Sequence, residues 1–308
     1  LVDTCLAVLV LTGLIHSRVA DAQQLGHKLL GSAGADAGTQ PPPGVYIAVR
    51  VLGYGADKIR NRDGDIVPID GLNIDALGVS LGAAYTIKLT HAPYLTFAIA
   101  LPYASIDINS ANPAASLNGF GFADIFLQPL KAGWRQPRFD VVTGYMIYAP
   151  TGRYEPRSPG PGRGYWTHQF SAGGAIYSDT TRSSVASALA SLELNSEKER
   201  IDVRRGNLFQ IQGGVAVAVS KTVRVGAAGF TLWQVSHDLG RDIPPPLRNE
   251  WTRAFGLGPE IGIIVPPLRL RVDVRVEREF GVRSRTQGTV AAVSVSHAAN
   301  LGRSRMPR

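Results

Sequence analysis

The 308-residue chain carries a formal net charge of +8, a hydrophobic content of 44% and a mean hydropathy of +0.02, a length that suits one large domain or two small ones. Its basic residues are scattered among acids, which argues against a nucleic-acid surface, and a sole cysteine, Cys5, excludes an internal disulfide. The 34 glycines and 20 prolines suit many strands and turns, and no internal stretch approaches the roughly 20 apolar residues of a spanning helix, so a membrane-spanning form must be a closed barrel.

In chain order, Leu6 to Ile15 form the apolar core expected of a signal peptide, and Ala20-Asp21-Ala22 offers a small-x-small cleavage site. Residues 1–22 therefore read as a targeting segment, with cleavage after Ala22. Residues 23–44 are polar and rich in Gly, Ala and Pro, ending in Pro41-Pro42-Pro43, and read as a periplasmic linker without regular structure. From Val45 onward apolar and polar residues alternate with period two. The runs are 45–55, 72–88, 94–106, 119–133, 138–150, 166–178, 184–195, 207–220, 222–236, 251–265, 267–279 and 286–297, which makes twelve. Their connections alternate between short and long, as they do in an outer-membrane barrel with periplasmic turns and external loops. A basic tail, 298–308, follows.

The run around 268–277 is the clearest. Leu268, Leu270, Val272, Val274 and Val276 alternate with Arg269, Arg271, Asp273, Arg275 and Glu277. Alternate side chains lie on opposite faces of a strand, so in a barrel one face meets lipid and the other a wet lumen. The same reasoning puts Glu193, Gln210, Gln212, Asp124 and Gln128 in the lumen, with Phe122, Phe126 and Met146 as apolar solute contacts on the inward face. The charged members are candidates for setting ion preference or for a structural salt-bridge ladder. Tyr145, Tyr148, Tyr154, Tyr165, Trp166, Trp134, Trp233 and Trp251 fall near run ends, as interfacial aromatic belts do.

Catalytic signals are weak. None of the histidines (His16, His27, His91, His168, His237 and His297) sits in a metal-binding spacing, so no metal and no cofactor are expected. There is no GxSxG elbow; His168 with Ser171 is the one conceivable serine–histidine pair. Asn61 to Asp65 faintly resembles a calcium loop but lacks its distal glutamate, and Gly160 to Gly164 lacks the ending of a phosphate loop; both read as external loops.

Several motifs in order resemble a known family. They are Gly119 to Asp124 (GFGFAD) with Gln128-Pro129, Gly144-Tyr145, Tyr148 to Tyr154 (YAPTGRY), Tyr165 to Phe170 (YWTHQF), and Gly229 to Val235 with Asp238. Over roughly 45–297 the chain resembles the meta-pathway phenol-degradation outer-membrane proteins. The resemblance implies a transmembrane β-barrel in the outer membrane of a Gram-negative bacterium, and uptake of aromatic or other hydrophobic compounds without catalysis. The expectation is thus an all-β, up-and-down antiparallel barrel of about 12 strands, acting as a passive channel for small hydrophobic, aromatic molecules. A structural or adhesive barrel with a closed lumen is the alternative. The expected partners are outer-membrane lipid, the solute and the outer-membrane assembly machinery, with no nucleic acid.

Overall fold

The computed structural model describes residue 27 and residues 30–90, 93–112, 116–156, 160–243 and 248–299. The expected signal peptide, His91 and the tail beyond residue 299 lie outside the described residues.

The strands are β1 (Gly44–Arg60), β2 (Ile66–Val67), β3 (Asn73–Lys88), β4 (Tyr94–Asn109), β5 (Leu117–Phe122), β6 (Ile125–Arg135) and β7 (Phe139–Ala149). They continue with β8 (Thr167–Tyr177), β9 (Ser184–Asn195), β10 (Leu208–Ala218), β11 (Val223–Gln234), β12 (Arg253–Val265), β13 (Leu270–Arg283) and β14 (Arg285–Ala299). Each pairs antiparallel with its neighbours, and β14 pairs with β1 from Val45↔Ala299 to Arg60↔Arg285, closing the sheet. The two-residue β2 is a stub on β1, and β5 and β6 both pair with β4 as one broken wall strand. The wall therefore has twelve members, each at a predicted run. Closure leaves no strand at a free edge of the sheet, the condition for a sheet to sit in lipid. Among the described residues no helix is long and apolar enough to cross a membrane.

The alternation of the sequence becomes an inside and an outside. Leu77, Val79 and Leu81 of β3, Phe97, Ile99 and Leu101 of β4, and Val215 and Val217 of β10 are exposed on the outer surface. Their inward neighbours include Thr86, Thr96, Gln210 and Gln212, all buried. An apolar outer belt on a closed sheet reverses the order of a water-soluble protein and fits a hydrocarbon surrounding. Outward rings gather toward the long-loop end: Phe209, Trp233, Phe255 and Phe280, on four successive strands, touch in series at centroid distances of 5.9, 5.6 and 5.7 Å. Trp134 and Phe139 are exposed at the opposite end. Three of the aromatics expected in these belts are elsewhere. Tyr148 faces inward, and Tyr154 and Tyr165 are buried under the long loops.

One stretch of the wall is irregular. The β13–β14 ladder runs only from Leu270↔His297 to Arg278↔Thr289. Beyond it the strands separate, β13 staying with β12 and β14 with β1. Side chains replace the missing ladder. The Glu279 carboxylate accepts from Gly288 N at 2.8 Å, Arg285 Nη2 at 2.9 Å and Tyr54 Oη at 3.0 Å, and Gln287 Nε2 donates to the Glu279 carbonyl at 3.0 Å.

The largest departure from the sequence reading is the segment before β1. A lack of regular structure is the expectation, and its described residues contain only turns, closed by Ala37 N to the Gly34 carbonyl and Thr39 N to the Asp36 carbonyl. Its place is not the periplasm. From Pro43 it enters the barrel at the short-turn end and runs up the lumen, bringing His27 close to the long-loop end. Gln40 meets Asp140 and Thr96 near the starts of β7 and β4, whereas His27 meets Thr167 at the start of β8. The segment is an internal plug. Its small residues suit this position: Ala35 is fully buried, and Gly38 lies so close to the backbone of Gly174 and Ala188 that a side chain there would collide with it.

Candidate functional site: the plugged lumen

The plug is held mainly by polar side chains of the inner wall. At the short-turn end Asp140 Oδ2 accepts from Gln40 N at 3.0 Å and Lys131 Nζ donates to the Thr39 carbonyl at 2.9 Å. In the middle, Asp36 sits between Arg224, at 3.1 Å, and Arg271, which also bonds Asp273 at 2.7 Å. Ser187 Oγ donates to the Ala35 carbonyl at 2.7 Å, and Glu260 accepts from Ala35 N at 3.2 Å. Arg275 donates from Nε to the Gly31 carbonyl at 2.7 Å and from Nη2 to the Ser32 carbonyl at 2.9 Å, while Nη1 reaches Glu260 at 3.3 Å. Gln212 accepts from Ala33 N at 3.0 Å. At the top, His27 donates its backbone N–H to Glu193 at 3.2 Å, and its ring bridges Asp124 and Thr167, both at 2.7 Å. Backbone groups threaded through the lumen and buried there need such partners, because each one left unpaired would cost about 1–3 kcal/mol.

Most of the predicted lumen residues are therefore parts of this cradle. Arg271, Arg275, Gln212, Glu193 and Asp124 bond the plug directly. Asp273 holds Arg271, and Gln210 links Glu193 to Gln212. Gln128 is buried beside Gly144. Glu277 faces inward and is covered by the plug at Gly31.

Two predicted residues are elsewhere. Arg269 is not in the lumen: it caps the 3-10 turn Pro266–Leu268 with a left-handed φ of 52° and lies exposed in the short connection before β13. The alternation simply continued past the end of the strand. Phe122 is exposed on the outer surface, pairing with the outward Tyr103 of β4. The wall strand breaks at Ala123-Asp124, so Phe122 before the break and Asp124 after it face opposite ways despite their even spacing. Phe126 and Met146 do face inward; Phe126 lies 5.5 Å from the Tyr148 ring and Met146 is buried.

The sequence reading missed the main apolar surface of the lumen. Leu52, Leu208, Phe230, Leu232, Ala254, Val282 and Val290 form a buried cluster inside the outer half of the barrel, edged by Tyr54, and Leu30 of the plug packs into it. Phe230 and Leu232 share an inward parity on β11 with Arg224 and Gln234, and that even-numbered apolar pair was the available signal.

External loops bond to one another at the top. Glu199 N donates to the Gly164 carbonyl at 2.7 Å, Arg204 and Leu239 form an isolated bridge, and Arg205 pairs with Asp238 at 2.5 Å. At the exposed edge of these loops the hydrogen bond from Arg241 holds the Asp202 carboxyl below its usual range. The other candidate chemistries do not assemble. His168 points outward, stacked on Tyr145 with its Nδ1 2.7 Å from the Tyr145 hydroxyl, whereas Ser171 faces the lumen three residues on. In the Asn61 loop, Oδ1 accepts the backbone N–H groups of Asp63, Gly64 and Asp65. Gly162 N bonds the Arg153 carbonyl, so residues 160–164 pack against the start of the same connection. Among the described residues no three His, Cys, Asp or Glu side chains are grouped to hold a metal.

A closed twelve-membered barrel with an apolar belt, an aromatic girdle and an occupied polar lumen defines a transmembrane β-barrel of the outer-membrane channel type. Residues 56–295 match the family described as the MetA-pathway of phenol degradation, and the chain belongs to that family. Among solved structures it is similar to an outer-membrane channel from Pseudomonas putida F1, with a TM-score of 0.74 at 13% identity, covering 86% of this chain and 98% of that one. It also resembles the translocator domain of the autotransporter NalP from Neisseria meningitidis, with a TM-score of 0.48 at 10% identity over 96% of this chain and 98% of that one. A comparison with curated proteins finds no match.

Proposed function

We infer that the protein admits small hydrophobic, aromatic molecules by passive diffusion through the outer membrane. The observation that carries this reading is the buried apolar cluster on the inner wall, covered by Leu30 of a plug that is otherwise held by polar contacts. A lumen serving water-soluble solutes has no use for such a surface, because apolar area facing a wet channel forgoes roughly 25 cal/mol per Å2. The family description points the same way, as does the P. putida structure, a channel by its own description. Passage requires the plug to move, and a segment fixed by separate hydrogen bonds to wall side chains can detach stepwise. The lipid of the outer membrane is the surrounding the apolar belt suits, and the outer-membrane assembly machinery is the partner expected to insert the barrel.

The test compares cells with and without the gene, following uptake of toluene or phenol at low external concentration. Deletion slows the initial uptake rate, and restoring the gene recovers it. Unchanged kinetics would leave the closed structural barrel as the better account.

A further inference from the structure

Glu277 is buried to 0% exposure, and neither of its carboxylate oxygens has a hydrogen-bond partner among the described residues. The neighbouring Arg275 on the same face of β13 does not serve it: it gives Nε and Nη2 to plug carbonyls and Nη1 to Glu260. What lies over Glu277 is the backbone of Gly31. A Cβ at Gly31 would collide with Glu277 Oε2 and lie 2.8 Å from Val290 Cγ1. Val290 is the cross-strand partner of Glu277 and belongs to the apolar cluster into which Leu30 packs. A strong acceptor thus stands unsatisfied at the edge of an apolar surface, under two consecutive plug residues. A buried acceptor left unpaired is costly, and such sites in native proteins call for an explanation.

We propose that Glu277 with Leu52, Phe230, Leu232 and Val290 forms a binding site for a hydrophobic molecule bearing one hydroxyl group, and that Leu30 and Gly31 occupy this site until such a molecule displaces them. The hydroxyl donates to the carboxylate, and the apolar body takes the place of the Leu30 side chain. A neutral donor fits better than a cation, because the Arg275 guanidinium already stands beside the site and repels positive charge. The proposal rests on the uptake reading above and refines it to a preference for hydroxylated over plain hydrocarbons.

Phenol and toluene are the probes, since they differ by hydroxyl against methyl on the same ring. Their binding to the refolded full-length protein in detergent is measured by equilibrium dialysis against protein-free micelles, with heat-modifiable gel migration confirming the fold of each variant. The wild type favours phenol, and Glu277→Leu lowers the phenol-to-toluene preference by about tenfold or more. Glu277→Gln, which keeps size and an acceptor, retains part of the preference. Leu30→Ala, which weakens the competing plug residue, tightens phenol binding several-fold. An unchanged preference in a folded Glu277→Leu protein overturns the hydroxyl site, and unchanged or weaker phenol binding in Leu30→Ala overturns the competition. If cellular uptake still depends on the gene in those cases, the uptake reading stands without this site. If neither aromatic binds the wild type, and deleting the gene leaves uptake unchanged, both fall.

Discussion

At Gly31 the plug lies close against the wall, with φ of 67° and no room for a side chain. An alanine there meets the left-handed penalty of about 1–2 kcal/mol and a collision with Glu277 and Val290. Gly31→Ala is therefore expected to lift the upper plug out of its seat, read as a several-fold rise in single-channel conductance in planar bilayers over a nearly closed wild type. Asp36 is held differently, by Coulombic attraction to Arg224 and Arg271 in a partly open setting, with side-chain exposures of 26%, 16% and 31%. Partial exposure limits such a pair to about 1 kcal/mol or less. Asp36→Asn should raise conductance less than Gly31→Ala does, and salt near 1 M should shrink the difference from wild type, since screening weakens the attraction being removed.

Among the elements, the β13–β14 hairpin is the weak stretch of the wall, because its outer ends share side-chain bonds instead of a ladder. Glu279 carries that stretch with a fully buried carboxylate on Arg285, itself 2% exposed. Removing one partner of a buried pair costs about 3–5 kcal/mol. Glu279→Ala should lower the temperature at which the folded band converts to the unfolded one on an unboiled gel, while truncating the outward Val276 should not. The elements also show where sequence is informative. Lipid outside and a polar lumen inside polarise each strand so strongly that period two stands out, and all twelve wall members could be drawn from it. Parity fails where backbone geometry resets it. The break at Ala123-Asp124 turned Phe122 outward, and the left-handed turn at Arg269 ended a pattern that the side chains appeared to continue. The plug was illegible for another reason. Its Gly, Ala and Pro content is that of a linker, and it docks through backbone groups whose partners lie up to 244 residues away. Local sequence carries no trace of such pairing.

For the whole molecule, the chemistry that looked like a pore lining is mostly a cradle. Most of the charged and amide residues that alternation placed in the lumen are bound up with a piece of the same chain, Glu277 excepted, and the inner wall carries a separate apolar patch in the outer half. The polar wall bonds the backbone of the plug, and the apolar patch seats its Leu30 side chain. A truncation lacking residues 27–39 but keeping Gly44 and the strands should leave Arg271, Arg275 and Glu260 lining an open pore. Such a protein is expected to conduct small ions steadily, with a charge preference that Arg275→Ala alters and that the intact chain does not display, measured as a shift in reversal potential under a salt gradient.

The plug also bears on the order in which the protein is built. It is continuous with β1, and β1 is the strand that β14 must find to complete the ring. Its bonds reach β4, β6 to β11, β12 and β13. A segment gripped from so many sides is hard to thread through a finished cylinder. The wall must instead curl around it, with the plug serving as a mandrel on which the strands are wrapped before the final edges meet.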